Sequence, residues 1–189
     1  MAKLIEITFM SLDGVMDSPD VVREALPYFM SNKEHNSYQM QRLFASDALL
    51  LGRKTYEALS DAYLSMAKSG QGAPLDFVDR MNSIPKYVAS TTLRKASWNA
   101  TCIQGNIAEE VRKLKGQSGK NLLKYGTGLL DRVLFSEHLV DLLCIVMYPF
   151  VLGDGMHLFE GLGVSTHLRL SDMKRFENGT IVLEYIPKL

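Results

Sequence analysis

The chain has 189 residues, 47% of them apolar and 22% charged, which suffices for one sizeable core without disulfide or metal staples. Its formal net charge is zero, with 21 basic and 21 acidic residues and no block of like charge, which argues against a broad nucleic-acid or polyanion surface. No apolar run approaches the roughly 18 residues of a membrane span, and the opening MAKLIEITFMSLDG is too short and too polar for a secretory signal, so a soluble cytoplasmic domain over residues 1–189 is expected.

Residues 3–10 (KLIEITFM) read as a first strand, ended by the turn SLDG at Gly14. Ser18 and Pro19 mark a helix start, and Pro27 falls where that helix would be interior, so a short or broken helix is expected. A helix follows over 37–46, with Met40, Leu43 and Phe44 on one side. DALLLG is a continuous apolar run of the kind buried on both faces of a sheet. A helix from about 54 to 67 carries Tyr56, Leu59, Tyr63 and Met66 on one stripe, and KSGQGAP is a loop.

The next elements are a short helix carrying Leu75, Val78 and Met81, then strands at 85–90 and 100–103. Asn106 and Glu109 open a helix with Ile107, Val111 and Leu114 inward. NLLKYG is a strand, TGLLDRVLFSEH a helix with Leu130, Val133 and Leu134 inward, and LVDLLCIVMY a long central strand stopped by Pro149. Two extended runs then flank Asn178-Gly179, the signal of a two-residue hairpin. Strands alternating with helices and closing on a hairpin predict an α/β domain. Its mostly parallel mixed sheet carries helices on both faces and a C-terminal antiparallel hairpin at one edge.

Hydrolase and P-loop signatures are missing from the sequence, and His35, His138, His157 and His167 are scattered without metal-ligand spacing. Cys102 and Cys144 sit singly in apolar strands and read as buried, reduced small hydrophobes, so no metal is expected. What remains is a set of strand-to-helix junctions, where open α/β sheets bind ligands. Gly52-Arg53-Lys54-Thr55, Ser90-Thr91-Thr92 and Gly126-Thr127-Gly128 share one chemistry: glycines, hydroxyls, helix starts and cations suited to phosphate. Arg53 and Lys54 oppose the dipole of their own helix, which makes sense if an anion binds there. A dinucleotide is the natural ligand for three such junctions on one edge. Taken singly, GTG is equally a tight turn with Thr127 as helix cap, and STTL equally a plain turn.

SLDG, LLLGRKTYE, KYVASTTL, GTGLLDRVLF and LVDLLCIVMYPFVLGDGMHLF occur in an order that resembles the dihydrofolate-reductase-like superfamily. The closest branch is the C-terminal reductase domain family of the riboflavin pathway. The resemblance spans essentially the whole chain. It implies a three-layer α/β/α reductase fold and NADPH-dependent hydride transfer to a small pyrimidine-, pterin- or similar heterocyclic acceptor, as in 5-amino-6-(5-phosphoribosylamino)uracil reductase. The alternative is a non-catalytic dimeric ligand-binding relative.

By the same resemblance, Gly52, Arg53, Lys54 and Thr55 grip cofactor phosphates, and Ser90 and Thr91 surround the 2′-phosphate. Tyr125, Gly126, Thr127, Gly128 and Leu129 form the pyrophosphate turn, and Phe9, Val15 and Met16 flank the nicotinamide. Asp13, in the SLDG turn, is the candidate proton donor; it equally reads as a cap of its own turn. Relatives show Val-Asp-Glu-Leu where this chain has Val140, Asp141, Leu142 and Leu143, and no acid in the early helix matches the substrate carboxylate of dihydrofolate reductases, so folate reduction itself is not expected. Tyr28, Phe29 and Tyr38 either stack on a heterocycle or belong to the core, and Arg23 and Lys33 are cations of the same region. A homodimer through strand 140–148 and the terminal hairpin completes the expectation.

Overall fold

The structure, a computed structural model, describes residues 2–17, 24, 25, 28 and 32–188. The helix expected from Ser18 and its break at Pro27, together with Arg23 and Phe29, lie outside the described residues. The chain runs β1 (Leu4–Met10), β2 (Val15–Asp17), α1 (Lys33–Phe44), β3 (Ser46–Gly52), α2 (Arg53–Ser69), α3 (Leu75–Ser83), β4 (Lys86–Ala89), β5 (Ala100–Ile103), α4 (Ile107–Gln117), β6 (Asn121–Tyr125), α5 (Leu129–Ser136), β7 (Leu142–Met147), β8 (Met156–His157), β9 (Leu168–Arg175) and β10 (Ile181–Pro187).

Eight strands form one sheet in the order β5-β4-β3-β6-β1-β7-β10-β9. The first six in that order are mutually parallel, and β10 is antiparallel to both β7 and β9. The expected mixed sheet with its terminal hairpin is therefore what forms. Side chains alternate across each strand, which sorts the core into two layers. Ile5, Ile7, Leu49, Leu51, Leu123, Cys144 and Val146 face Tyr38, Tyr56, Phe77 and Met81 of α1, α2 and α3. Leu4, Leu50, Leu122 and Leu143 face Val111, Leu114 and Leu134 of α4 and α5. Burial on both faces is why these strands read as unbroken apolar runs.

The helix boundaries follow their caps. The Asn32 side chain accepts from the His35 N–H, which starts α1 four residues before the apolar stripe suggests. Asn106 accepts from the N–H groups of Ala108 and Glu109, as expected. Gly70, at φ +66°, ends α2 with its N–H on the Met66 carbonyl.

Three expectations are corrected, for the hairpin turn, strand β7 and Cys102. The hairpin turn has three residues, not two: the Phe176 N–H bonds to the Thr180 carbonyl, and Gly179 supplies the positive φ of +87° that this longer turn requires. Strand β7 lies inside the sheet between β1 and β10, with Leu143–Val146 buried, so the middle of the strand offers no surface to a second subunit. Leu142 packs partly against the first core layer. Cys102 is only partly buried, although Cys144 is fully so.

Candidate functional site

Strands β4, β3, β6 and β1 are neighbours, and their parallel register aligns their carboxyl ends. Gly52 pairs with Ala89, Leu50 with Lys124, and Ile7 with Tyr125. The three junctions singled out in the sequence therefore lie side by side on one edge of the sheet. Two of them touch: a Cβ on Gly126 would stand 3.3 Å from Thr55 Oγ1, and Gly126 has φ +70°. Gly126 thus meets both reasons for a glycine, a left-handed backbone and a close approach. A Cβ on Gly52 or Gly128 would meet nothing within 4 Å, so both glycines border open space.

Helix α2 begins at Arg53 with Gly52 as an uncapped start: among the described residues no side-chain cap bonds it, and no acid lies in its first turn. Its backbone N–H groups and the positive end of its dipole are therefore not neutralised locally. Arg53 is less isolated than the sequence suggests, because its Nε lies 3.9 Å from Glu57 Oε1. Both side chains are about half exposed, and a pair of this kind is worth little. Lys54 is exposed, and Thr55 is partly buried against Gly126.

The other two junctions are more internally bonded. Ser90 Oγ accepts from the N–H groups of Thr92 (3.2 Å) and Leu93 (2.9 Å), which is the geometry of a plain turn, and Thr91 is exposed beside it. The Gly128 N–H donates to Asp131 Oδ2 at 2.5 Å, so this amide is already committed. Thr127 donates its hydroxyl to Glu6 Oε1 at 3.1 Å. Leu129 is 82% exposed at the start of α5.

Beneath the Gly126–Gly128 turn lies a cluster that sequence reasoning missed. Glu6 of β1, Lys124 of β6 and Asp131 of α5 are all buried, and Lys124 Nζ lies 3.6 Å from Glu6 Oε1 and 2.8 Å from Asp131 Oδ1. Burial pushes the Glu6 carboxyl up to about 8; Lys124 opposes the rise and Asp131 adds to it. The signal was available. Glu6 and Lys124 occupy the same inward parity as Leu4 and Leu122, and a charge in a strand covered on both faces needs a buried partner.

On the opposite face of β1, Phe9 stacks nearly parallel to Tyr125 at 6.4 Å and to Tyr148 at 6.3 Å. His35 meets Phe9 edge-on at 6.5 Å and is fully buried, and burial lowers its pKa to about 4. Tyr28 tilts against Tyr148 and Phe150, and Tyr38 donates to Glu184 Oε1. Tyr38 is therefore a core residue. The Tyr125 hydroxyl is buried without a hydrogen-bond partner among the described residues.

The SLDG turn is fixed from both sides. Asp13 accepts from Ser11 Oγ (2.5 Å), the Gly153 N–H (2.8 Å) and the Leu152 N–H (3.3 Å). The Ser11 hydroxyl and the Gly153 N–H hold its carboxyl down near 2. A group this acidic stays ionised at neutral pH, which counts against the proton-donor role expected of Asp13. Val15 is fully buried, and its N–H and carbonyl are both bonded to Ser11, so it shapes the turn rather than lining a surface. Met16 is partly buried, with its sulfur 4.0 Å from Thr8 Oγ1. Among the described residues no cluster of His, Cys, Asp and Glu is suited to a metal ion, and no helix is long and apolar enough to cross a membrane.

Residues 2–182 match the family described as the RibD C-terminal domain. An uncharacterized protein of Bacillus subtilis, YyaP, is 30% identical over 139 residues, covering 74% of this chain and 73% of that protein. Among solved structures, a putative riboflavin biosynthesis protein from Shewanella sp. PV-4 superposes with a TM-score of 0.71 at 22% identity over the full length of both chains. Dihydrofolate reductase from Enterococcus faecalis, complexed with NADP(H), superposes with a TM-score of 0.60 at 14% identity over 99% of this chain and 97% of that one.

Proposed function

The chain belongs to the RibD C-terminal domain family, and from that premise we propose that it is an NADPH-dependent reductase of a small pyrimidine-, pterin- or similar heterocyclic acceptor. The observation that carries the reading is the contact of two phosphate-suited junctions, Thr55 Oγ1 lying 3.3 Å from where a Cβ of Gly126 would stand. An uncapped helix start, an exposed guanidinium and two glycines facing open space suit the phosphates of a dinucleotide.

In this reading Arg53 and Lys54 supply counter-charge, with Ser90 and Thr91 beside them. Arg53 and the Ser90 turn discriminate NADPH from NADH, because the 2′-phosphate needs a cation. Gly52, Thr55 and the Tyr125–Leu129 turn hold the pyrophosphate. Gly128 contributes an open approach rather than its amide, which Asp131 already occupies. Phe9 and Met16 border the reacting end, with Val15 setting the turn behind them.

When bound, the dihydronicotinamide supplies the hydride. The chain's own work is to orient the two partners and exclude water. Phe9, partly exposed and backed by the buried Tyr125 and Tyr148 rings that it stacks on, supplies an apolar contact for a flat acceptor. Asp13 holds the SLDG turn against Leu152 and Gly153, so the proton that completes reduction comes from another source.

That fixed Asp13 also favours a second reading, a nucleotide-binding relative that has lost turnover. Titration of the purified protein with NADPH, followed by fluorescence, tests the cofactor assignment. Binding in the micromolar range is expected, and no binding up to millimolar NADPH rejects it. Oxidation of bound NADPH by a panel of pyrimidine and pterin acceptors separates enzyme from binder. A homodimer is proposed through the outer edge of β9, where Leu170 and Met173 are 48% and 61% exposed.

A further inference from the structure

The three buried ionisable groups each hold a different residue of the same turn. Lys124 Nζ donates to the Gly126 carbonyl, Glu6 accepts from the Thr127 hydroxyl, and Asp131 accepts from the Gly128 N–H. Glu6 and Asp131 are completely buried and Lys124 nearly so. A turn needs no such cluster to form; a backbone bond and a glycine suffice. Three desolvated ionisable groups beneath three consecutive residues are an expensive arrangement, and each bonds a different residue of that turn.

The charge count decides the cluster's state. With both carboxylates ionised, one lysine leaves a buried negative charge. With one proton the cluster is neutral. Glu6 Oε2 is buried and receives no donor among the described residues, and the two carboxyls share the single Lys124 ammonium, 3.6 Å from Glu6 Oε1 and 2.8 Å from Asp131 Oδ1, so a proton on one of them removes the excess charge. Asp131 bonds both the Lys124 ammonium and the Gly128 N–H, so it is the natural carboxylate of the pair. The titratable groups facing Glu6 are Lys124 from β6 and Asp131 from α5; its register partner on β7 is Leu143, and β3 presents Leu50 to Lys124.

We propose that Glu6, Lys124 and Asp131 are positioning residues for the Gly126–Gly128 turn, with Glu6 kept protonated so that the cluster stays neutral beneath a bound phosphate. Loss of that proton to solvent leaves a net negative charge in the buried cluster, set against the Asp131 carboxylate that holds the Gly128 N–H, and loosens the turn at Gly128. The part that concerns phosphate rests on the cofactor reading above; the proton and the turn do not.

Two ligand-free measurements test the latter. Infrared spectra of the apoprotein show a protonated carboxylic acid near neutral pH that disappears on raising the pH past about 8 and is missing from Glu6→Gln. Amide exchange at Gly128, corrected for its intrinsic pH dependence, loses up to about tenfold protection per pH unit between about 4.5 and about 8 in the wild type and levels off above that, but keeps its protection in Glu6→Gln, whose amide mimics the neutral acid. A wild-type spectrum without this band, or one that Glu6→Gln leaves unchanged, overturns the proposal. So does Gly128 protection with the same pH dependence in both proteins. Should Glu6→Gln fail to fold, Thr127→Val serves: it keeps the acid band and separates the Thr127 side chain from the pH dependence of NADPH binding. In the phosphate arm, NADPH affinity of the wild type falls with the same midpoint as the acid band. Absence of NADPH binding at every pH rejects the cofactor reading alone, because the ligand-free results stand without it.

Discussion

Thr127 donates to Glu6 Oε1 across 3.1 Å, joining the exposed turn after β6 to a carboxyl buried in the middle of β1. The residues are 121 positions apart in sequence and are brought together by the register of Glu6 with Lys124. The turn proposed to hold cofactor phosphates is thereby tied to a buried carboxyl.

The pH dependence of folding stability follows from that tie. Glu6 has its folded pKa raised from 4.5 to about 8, so its contribution is fully present below about 4.5 and is lost as pH rises toward about 8. Chemical denaturation of the apoprotein at a series of pH values is expected to show stability falling across that window, with Glu6→Gln flattening the slope. An unchanged slope in the variant contradicts the assignment.

His35 acts on the acid side with the opposite sign. Burial depresses its pKa from 6.5 to about 4, so its contribution is present above 6.5 and is lost as pH falls toward 4. Its ring resonances in NMR are expected to stay those of neutral imidazole until near pH 4. Titration near 6.5 would show that the ring is not sealed in the aromatic layer.

Asp13 is expected to be structural. Asp13→Asn weakens the acceptor for Ser11 and Gly153 but leaves the pH profile of any NADPH oxidation in place. A loss of roughly a hundredfold or more in kcat, with the acid or base limb gone, would restore Asp13 as the proton donor.

Tyr125→Phe removes a buried hydroxyl that has no partner among the described residues. Relief of an unmatched polar group makes the variant equal to or more stable than the wild type, by up to about 1 kcal/mol in urea denaturation. A loss of about 2 kcal/mol would reveal a bond to the hydroxyl.

Sedimentation at tens of micromolar tests the proposed dimer edge. A dimer that Met173→Glu dissociates is the expected outcome, since Met173 is 61% exposed on β9. A dimer unaffected by the change places the interface elsewhere.

The layers of this fold are legible in the chain because β3, β6 and β7 are apolar without alternation, and because Asn106 and Gly70 mark helix ends by local chemistry. The three junctions were legible for the same reason: each is a short local pattern at a strand end. The pairing of β2 with β8 was not, since so few residues give no periodicity. Nor was the Glu6, Lys124 and Asp131 cluster. Its members lie in three separate elements, and each alone passes for a solvated interruption of an apolar run. Only the β1–β6 register and the first turn of α5 bring them together. Arg53, in contrast, looked more isolated than it is, because Glu57 one helical turn later reaches back to it.

The central claim is that the start of α2 binds the phosphates of NADPH through Arg53. Its most direct test is the ratio of the NADH to the NADPH dissociation constant, measured by titration for the wild type and for Arg53→Ala. The account predicts a wild-type preference for NADPH that falls by about tenfold or more in the variant, corresponding to the loss of one charge-assisted phosphate contact. Equal weakening of both nucleotides, or an unchanged ratio, would contradict it.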